Sequence, residues 1–177
     1  MSVRRKLIRR TVERLLRESA VKQVPVPVEK IARSLGVRVE RAGAEDDLSG
    51  FIFRDRASDK VVIGINANHH RNRQTFTMAH ELGHYLLHDG EGVHVDRRFT
   101  VRLRNRASSE GTNAEEKEAN LFAAELLMPA TLLERDLSRI DVVDLHDESI
   151  IADLAERYGV SSQAMMFRLA YLGYVQL

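Results

Sequence analysis

The segment Met78-Ala79-His80-Glu81-Leu82-Gly83-His84-Tyr85-Leu86-Leu87-His88 is the most informative stretch of this sequence. It contains the pattern His-Glu-x-x-His, with His80 and His84 four residues apart. On an α-helix, residues at i and i+4 lie on one face, so the two imidazoles can bind one zinc ion. Glu81 points about 100° away from His80 and can take a proton from a water molecule that zinc has activated. The segment therefore predicts a catalytic metal helix.

A catalytic zinc site also needs a third protein ligand and an open coordination position. The chain has no Cys. The longer His-Glu-x-x-His-x-x-Gly-x-x-His pattern of metzincins fails, because Leu87 and Gly90 occupy its last two fixed positions. We therefore expect a glutamate from a second helix, predicted for residues 113–128.

That helix offers four glutamates, Glu115, Glu116, Glu118 and Glu125. Glu115 fits a capping box with Thr112, and Glu118 belongs to a face that can be solvated. Glu116 has Asn120 on its own face, where the amide can orient a ligating histidine. Glu116 is the predicted third ligand, and Glu118 is the alternative.

The other histidines have less definite roles. His88 continues the row of His80 and His84 by one turn. It can orient a ligand, polarise a substrate carbonyl, or simply bind the last carbonyls of its helix. The remaining histidines lack ligand spacing and are predicted to lie on the surface: His69, His70, His94 and His146.

The remaining pattern predicts an α+β fold with a small antiparallel sheet packed on helices. Strands are predicted at residues 37–40, 49–55 and 60–66, and a long loop at 89–111. The strand at 60–66 can pair with an extended substrate by strand addition. Helices are predicted at about 3–19, 28–35, 70–88, 113–128, 130–138, 148–158 and 161–172.

The length and the distribution of charge predict that the 177 residues are organised as an N-terminal helix, a core domain and a C-terminal hairpin. Residues 1–20 hold seven Arg or Lys and two Glu and predict a basic N-terminal helix. Residues 21–138 form the predicted core, and residues 139–177 a C-terminal helical hairpin. The net charge of +1 excludes a general polycation, and the absence of Cys excludes disulfide scaffolds and iron–sulfur clusters.

The predicted location is the cytoplasm. No apolar run approaches the length of a membrane span, and the charged N-terminus does not resemble a secretory signal.

Two longer segments resemble the ImmA/IrrE family of zinc-dependent endopeptidases. They are Arg73-Gln74-Thr75-Phe76-Thr77-Met78-Ala79-His80-Glu81-Leu82-Gly83-His84 and Glu116-Lys117-Glu118-Ala119-Asn120-Leu121-Phe122-Ala123-Ala124-Glu125-Leu126-Leu127-Met128-Pro129. The resemblance extends over about residues 20–175. It implies a minimal zincin-like metallopeptidase domain that holds one Zn²⁺ with His80, His84 and Glu116, with Glu81 as the base. Mn²⁺ or another divalent ion can also bind such ligands.

The resemblance also implies a biological role. Relatives cut a helix-turn-helix repressor and so release stress-response or mobile-element genes, and others accompany a repressor in toxin–antitoxin-like pairs. We expect the repressor to be a separate chain.

Two alternatives remain, a metal-binding partner that does not cut and a DNA-binding regulator. Residues 151–165 have helix-turn-helix spacing. However, residues 137–177 hold three Arg against six Asp or Glu, so direct DNA binding is not expected. The N-terminal arginines can contact nucleic acid or an acidic partner, although a solvated helix face is the favoured interpretation.

Overall fold

The computed structural model describes residues 2–55, 57–89, 92–97, 109–138 and 148–176. Within these ranges the chain has the predicted α+β fold. The helices are α1 (Arg5–Glu18), α2 (Val28–Ser34), α3 (Arg71–Leu87), α4 (Ser109–Leu127), α5 (Ala130–Leu137), α6 (Glu148–Tyr158) and α7 (Ser162–Tyr171). The strands are β1 (Val37–Ala42), β2 (Leu48–Asp55), β3 (Lys60–Asn66) and β4 (Gly92–Arg97).

The sheet is mixed, so the prediction of an antiparallel sheet was wrong. Its order is β1-β3-β2-β4, with β3 parallel to β1 and the other pairs antiparallel. The connection between β1 and β2 is short and crosses the end of β3, which therefore lies between them. Asn66 holds this crossing, because its buried side-chain amide donates to the carbonyl oxygens of Glu45 (2.9 Å) and Leu48 (2.8 Å).

Three other predictions fail in this region. Residues 89–111 were predicted to be a loop but include β4, the strand beside β2. β3 has a strand on each side, so residues 60–66 cannot accept a substrate by strand addition; within the described residues, the outer edges belong to β1 and β4. His69 is buried rather than on the surface, and its Nε2 lies 3.2 Å from the carbonyl oxygen of Asp46.

The C-terminal end of α3 is fastened to the sheet by Arg54 of β2. Its guanidinium donates to the carbonyl oxygens of His84 and His88, the latter at 2.6 Å. The His84 carbonyl oxygen also accepts from the backbone N–H of His88 at 3.3 Å, so Arg54 adds donors where the regular hydrogen bonds of the helix run out. The same guanidinium lies 5.3 Å from the centre of the Tyr85 ring. The sheet therefore fixes the end of α3 that carries the predicted ligands.

Helix α4 packs on α3 at Gly83, where the two backbones come close together. A Cβ atom added at Gly83 would lie 3.0 Å from the Phe122 ring and 3.2 Å from the Cα atom of Ala119. Helix α4 begins at Ser109, upstream of Thr112, so the predicted capping box at Thr112 was wrong.

A single apolar core runs through the predicted three parts of the chain. Ile8 of α1, Leu82 of α3 and Leu169 of α7 belong to the same buried cluster. The buried carboxylate of Asp136 accepts a hydrogen bond from the Tyr158 hydroxyl at 3.0 Å and so links α5 to α6. No helix in the described ranges has the length and apolar character to span a membrane.

We expect Gly83→Val to lower the free energy of unfolding by about 1–3 kcal/mol, because the added methyl groups overpack the contact with α4. Denaturant unfolding of the two proteins measures this difference. Gly83→Ala serves as the graded comparison: an exposed helical glycine would gain about 1 kcal/mol from this change, and we expect no such gain here. Unchanged stability in Gly83→Val would show that the approach of the two helices is not tight.

Candidate metal centre

Four side chains from three elements converge at one point. They are His80 and His84 of α3, His94 of β4 and Glu116 of α4, and one ligand atom from each lies within 4.8 Å of the others. His80 and His84 project from successive turns of α3, as their spacing predicted. Glu116 comes from the next helix and contacts both. The structure therefore brings together the three predicted metal ligands and one residue that was not predicted.

The distances between donor atoms match those around a tetrahedral ion. Atoms about 2.0–2.1 Å from such a zinc ion are about 3.3 Å from one another. The Nε2 atoms of His80 and His84 are 3.1 Å apart. The carboxylate of Glu116 lies 3.4 Å from Nε2 of His80 and 3.2 Å from Nε2 of His84. The donor set therefore fits a divalent metal of the size of zinc.

The other ring nitrogen of His80 is held by Asn120, the residue predicted to orient a ligand. Nδ1 of His80 lies 3.0 Å from Oδ1 of Asn120. An amide oxygen only accepts hydrogen bonds, so Nδ1 of His80 donates and carries the proton. Nε2 of His80 is then left with a lone pair that faces the cluster. This is the tautomer that binds a metal.

A longer chain of contacts orients His84. Its Nδ1 lies 3.0 Å from Nδ1 of His88, whose Nε2 lies 3.1 Å from Glu118. The carboxylate of Glu118 accepts from His88 Nε2, so His88 Nδ1 accepts in turn from His84. Nε2 of His84 therefore also presents a lone pair. Two lone pairs 3.1 Å apart repel each other unless a cation lies between them.

Arg4, the residue before α1, holds Glu118 at the end of this series of hydrogen bonds. Its backbone N–H donates to Glu118 at 2.7 Å, and its guanidinium donates at 2.6 Å. A further bond runs to the carbonyl oxygen of Leu87 at 2.9 Å. Hydrogen bonding from Arg4 lowers the pKa of Glu118 to about 2, so this carboxylate stays ionised. Glu118 is thus buried and engaged with Arg4 and His88 instead of joining the cluster, which contradicts its prediction as a solvated residue and the alternative ligand.

Burial and neighbouring charge set the protonation of the cluster. Burial lowers the pKa of His84 to about 4, so its ring is neutral. Burial alone would raise the pKa of Glu116, but the surrounding histidines hold it well below its usual range. Hydrogen bonding to Glu116 raises the pKa of His94, and the nearby charge of Glu81 acts in the same direction. Glu81 itself is fully buried.

The structure also corrects the roles expected of two histidines. His88 has both ring nitrogens engaged by His84 and Glu118, so it supports a ligand rather than facing a substrate carbonyl. His94, expected on the surface, lies in the cluster with its Nε2 3.1 Å from Glu116. His70 is exposed, as expected, and His146 lies outside the described residues. A histidine between two valines in an otherwise polar stretch was the signal that could have identified His94.

An α+β domain whose two central helices supply a His-Glu-x-x-His motif and a glutamate is typical of metallopeptidases. The family model described as the IrrE N-terminal-like domain, a peptidase family, matches residues 32–170. This chain therefore belongs to the IrrE N-terminal-like family of metallopeptidases, whose members bind a divalent metal.

Three known proteins share extended sequence similarity with the chain. Metallopeptidase ImmA of Bacillus subtilis is 36% identical over 92 residues, 52% of this chain and 48% of ImmA. The uncharacterized immunity region protein 2 of Bacillus phage phi105 is 31% identical over 123 residues, 70% of this chain and 69% of that protein. The radiation response metalloprotease IrrE of Deinococcus deserti is 34% identical over 122 residues, 66% of this chain and 39% of IrrE.

A solved structure supports the fold. A Mycobacterium tuberculosis transcriptional regulator superposes with a TM-score of 0.63 at 16% identity, covering 92% of this chain and 46% of that one. The chain thus matches only about half of the length of ImmA and of this regulator, and less of IrrE.

We expect Glu116→Ala to lose the metal and Glu118→Ala to keep it with roughly 10–100-fold weaker affinity, because Glu118 only orients a ligand. Elemental mass spectrometry and competition with a chelator measure both effects. Glu115→Ala, an exposed neighbour on α4, is the matched control and should bind metal as the wild type does. Full metal occupancy in Glu116→Ala would show that the three histidines of the cluster hold the ion without this carboxylate.

Proposed function

We propose that this protein is a zinc-dependent endopeptidase that cuts a helix-turn-helix transcriptional repressor. The observation that carries the proposal is the buried Glu81, which lies on the same helix as His80 and His84 and whose charge acts on His94 of the cluster, raising the pKa of that histidine. A carboxylate shielded from water at such a position is suited to proton transfer. The nitrogen-rich donor set favours zinc over magnesium, calcium and manganese, which prefer oxygen ligands.

The chemistry is divided between the metal and the protein. His80, His84 and Glu116 would hold the ion, which supplies a Lewis acid that activates water and polarises the scissile carbonyl. Glu81 takes the proton of the attacking water and passes it to the amine nitrogen that leaves. Asn120 and His88 keep the rings of His80 and His84 in the tautomers that this arrangement needs.

A groove beside the cluster supports a polypeptide as the substrate. It has a volume of about 980 Å³ and runs between the start of α3, α4 and α7. Its walls include Phe76, Leu121 and Phe167, and Asn120 belongs both to the groove and to the support of His80. The Phe76 ring lies 6.4 Å from the ring of His80. An apolar groove that leads to the cluster suits the apolar side chains of a protein segment.

The proposed target follows from the relatives. The similarity to a phage immunity region protein supports control of mobile-element genes, and the similarity to a radiation response metalloprotease supports control of stress-response genes. Direct DNA binding is not part of the proposal. The cation of α7, Arg168, is buried and bonds to the Met128 carbonyl oxygen at 3.0 Å, so it is not available to a phosphate.

We expect Glu81→Gln to lower the cleavage rate by about 10²–10⁴-fold while leaving metal content unchanged, because the amide cannot accept the proton. The measurement compares new protein N-termini after an extract of the host organism is incubated with zinc-loaded wild type or with Glu81→Gln. A helix-turn-helix repressor should be among the proteins cut by the wild type alone. Identical N-termini in both samples would reject the endopeptidase, and the non-cutting partner role would replace it.

A further inference from the structure

His94 reaches the cluster because of how β4 pairs with β2. In this antiparallel pair His94 is opposite Ile52, so both side chains lie on the same face of the sheet. Ile52 is buried in the core on that face. The flanking residues Val93 and Val95 point to the other face and are exposed. The strand thus turns its histidine inward and its valines outward, the reverse of the usual hydrophobic pattern.

We propose that His94 is a fourth protein ligand of the metal in the resting protein, where it occupies the coordination position that catalysis needs open. This inference rests on the proposed metal site. Nε2 of His94 lies 3.1 Å from Glu116, within the spacing of the other donors, and its ring centre lies 4.0 Å from that of His84. Four protein ligands make a closed site, whereas catalytic zinc sites have three and an open position.

His94 is also the most easily displaced of the four donors. Its side chain is 40% exposed, compared with 3% for His80 and 4% for His84. Nδ1 of His80 and of His84 is held by a neighbouring side chain, whereas no hydrogen bond within the described residues holds Nδ1 of His94. His80 and His84 belong to a buried helix, but β4 pairs with β2 along one side only, as far as the described strands extend.

The consequence is a metal site with two states. With His94 bound, the ion has no position for water or a substrate carbonyl, so the protein does not cut. When His94 moves out with β4, three ligands remain and the position opens. Substrate or any small anion that binds the metal must first displace His94, so its apparent affinity is reduced by the fraction of molecules in the open state.

The test uses the full chain, stripped of metal and reloaded with Co²⁺, whose visible absorption reports the number and type of its ligands. We expect His94→Ala to bind Co²⁺ at least about tenfold more weakly, because one donor is lost. We expect the same variant to bind azide at least about tenfold more tightly, because nothing must be displaced. His94→Gln should shift both affinities in the same directions and guards against a folding defect specific to the alanine variant.

Val95→Ala is the matched control, since it changes the neighbouring exposed side chain of β4 and should leave both affinities at the wild-type values. Unchanged Co²⁺ affinity in both His94 variants would overturn the inference, and so would weaker Co²⁺ binding without tighter azide binding. A wild-type protein that binds no Co²⁺ would instead reject the proposed metal site itself. The two failures are therefore distinguishable.

Discussion

The contact between α3 and α4 at Gly83 determines the geometry of the whole centre. Glu116 can reach His80 and His84 only if the backbones of the two helices come close, and a side chain at Gly83 would meet Phe122 and the backbone of α4. Gly83 lies between the two histidines in sequence, at x in the His-Glu-x-x-His pattern. The residue that permits close packing is therefore built into the metal motif itself. This explains why a helix-weakening glycine is present in a buried helix.

A chain of polar contacts extends the centre to the N-terminus. Arg4 binds Glu118, Glu118 binds His88, and His88 binds His84. Each link fixes the orientation or the tautomer of the next, so the lone pair of His84 depends on a residue that precedes α1 and bonds to both α3 and α4. The basic start of the chain, predicted from the sequence to be a solvated helix face, thus includes one half-exposed arginine whose hydrogen bonds reach the buried Glu118.

Features that depend on local spacing, such as ligands on one face of a helix, could be predicted from the sequence. Features that depend on contacts between distant residues, such as strand pairing, could not. His80, His84 and Glu116 follow from helical periodicity, and they do meet in the structure. The parallel pairing of β1 with β3 depends on how Asn66 holds a crossing loop, which no short pattern encodes. The contact of Arg4 joins residues 114 positions apart.

Neighbouring side chains hold His80 and His84 in place, whereas His94 is more exposed and more weakly held. This difference bears on how the site can both retain a metal and react. A site that only retains metal binds it more tightly when every ligand is held in place, because hydrogen bonds from neighbouring side chains to the ligands raise metal affinity. A site built only to hydrolyse peptides needs three fixed ligands and an empty position. This centre has three donors on packed helices and one on a β-strand paired along a single side, as far as the described residues show. With all four donors bound, the metal is retained when no substrate is present. Displacing one weakly held side chain, His94, then opens the coordination position that a substrate needs.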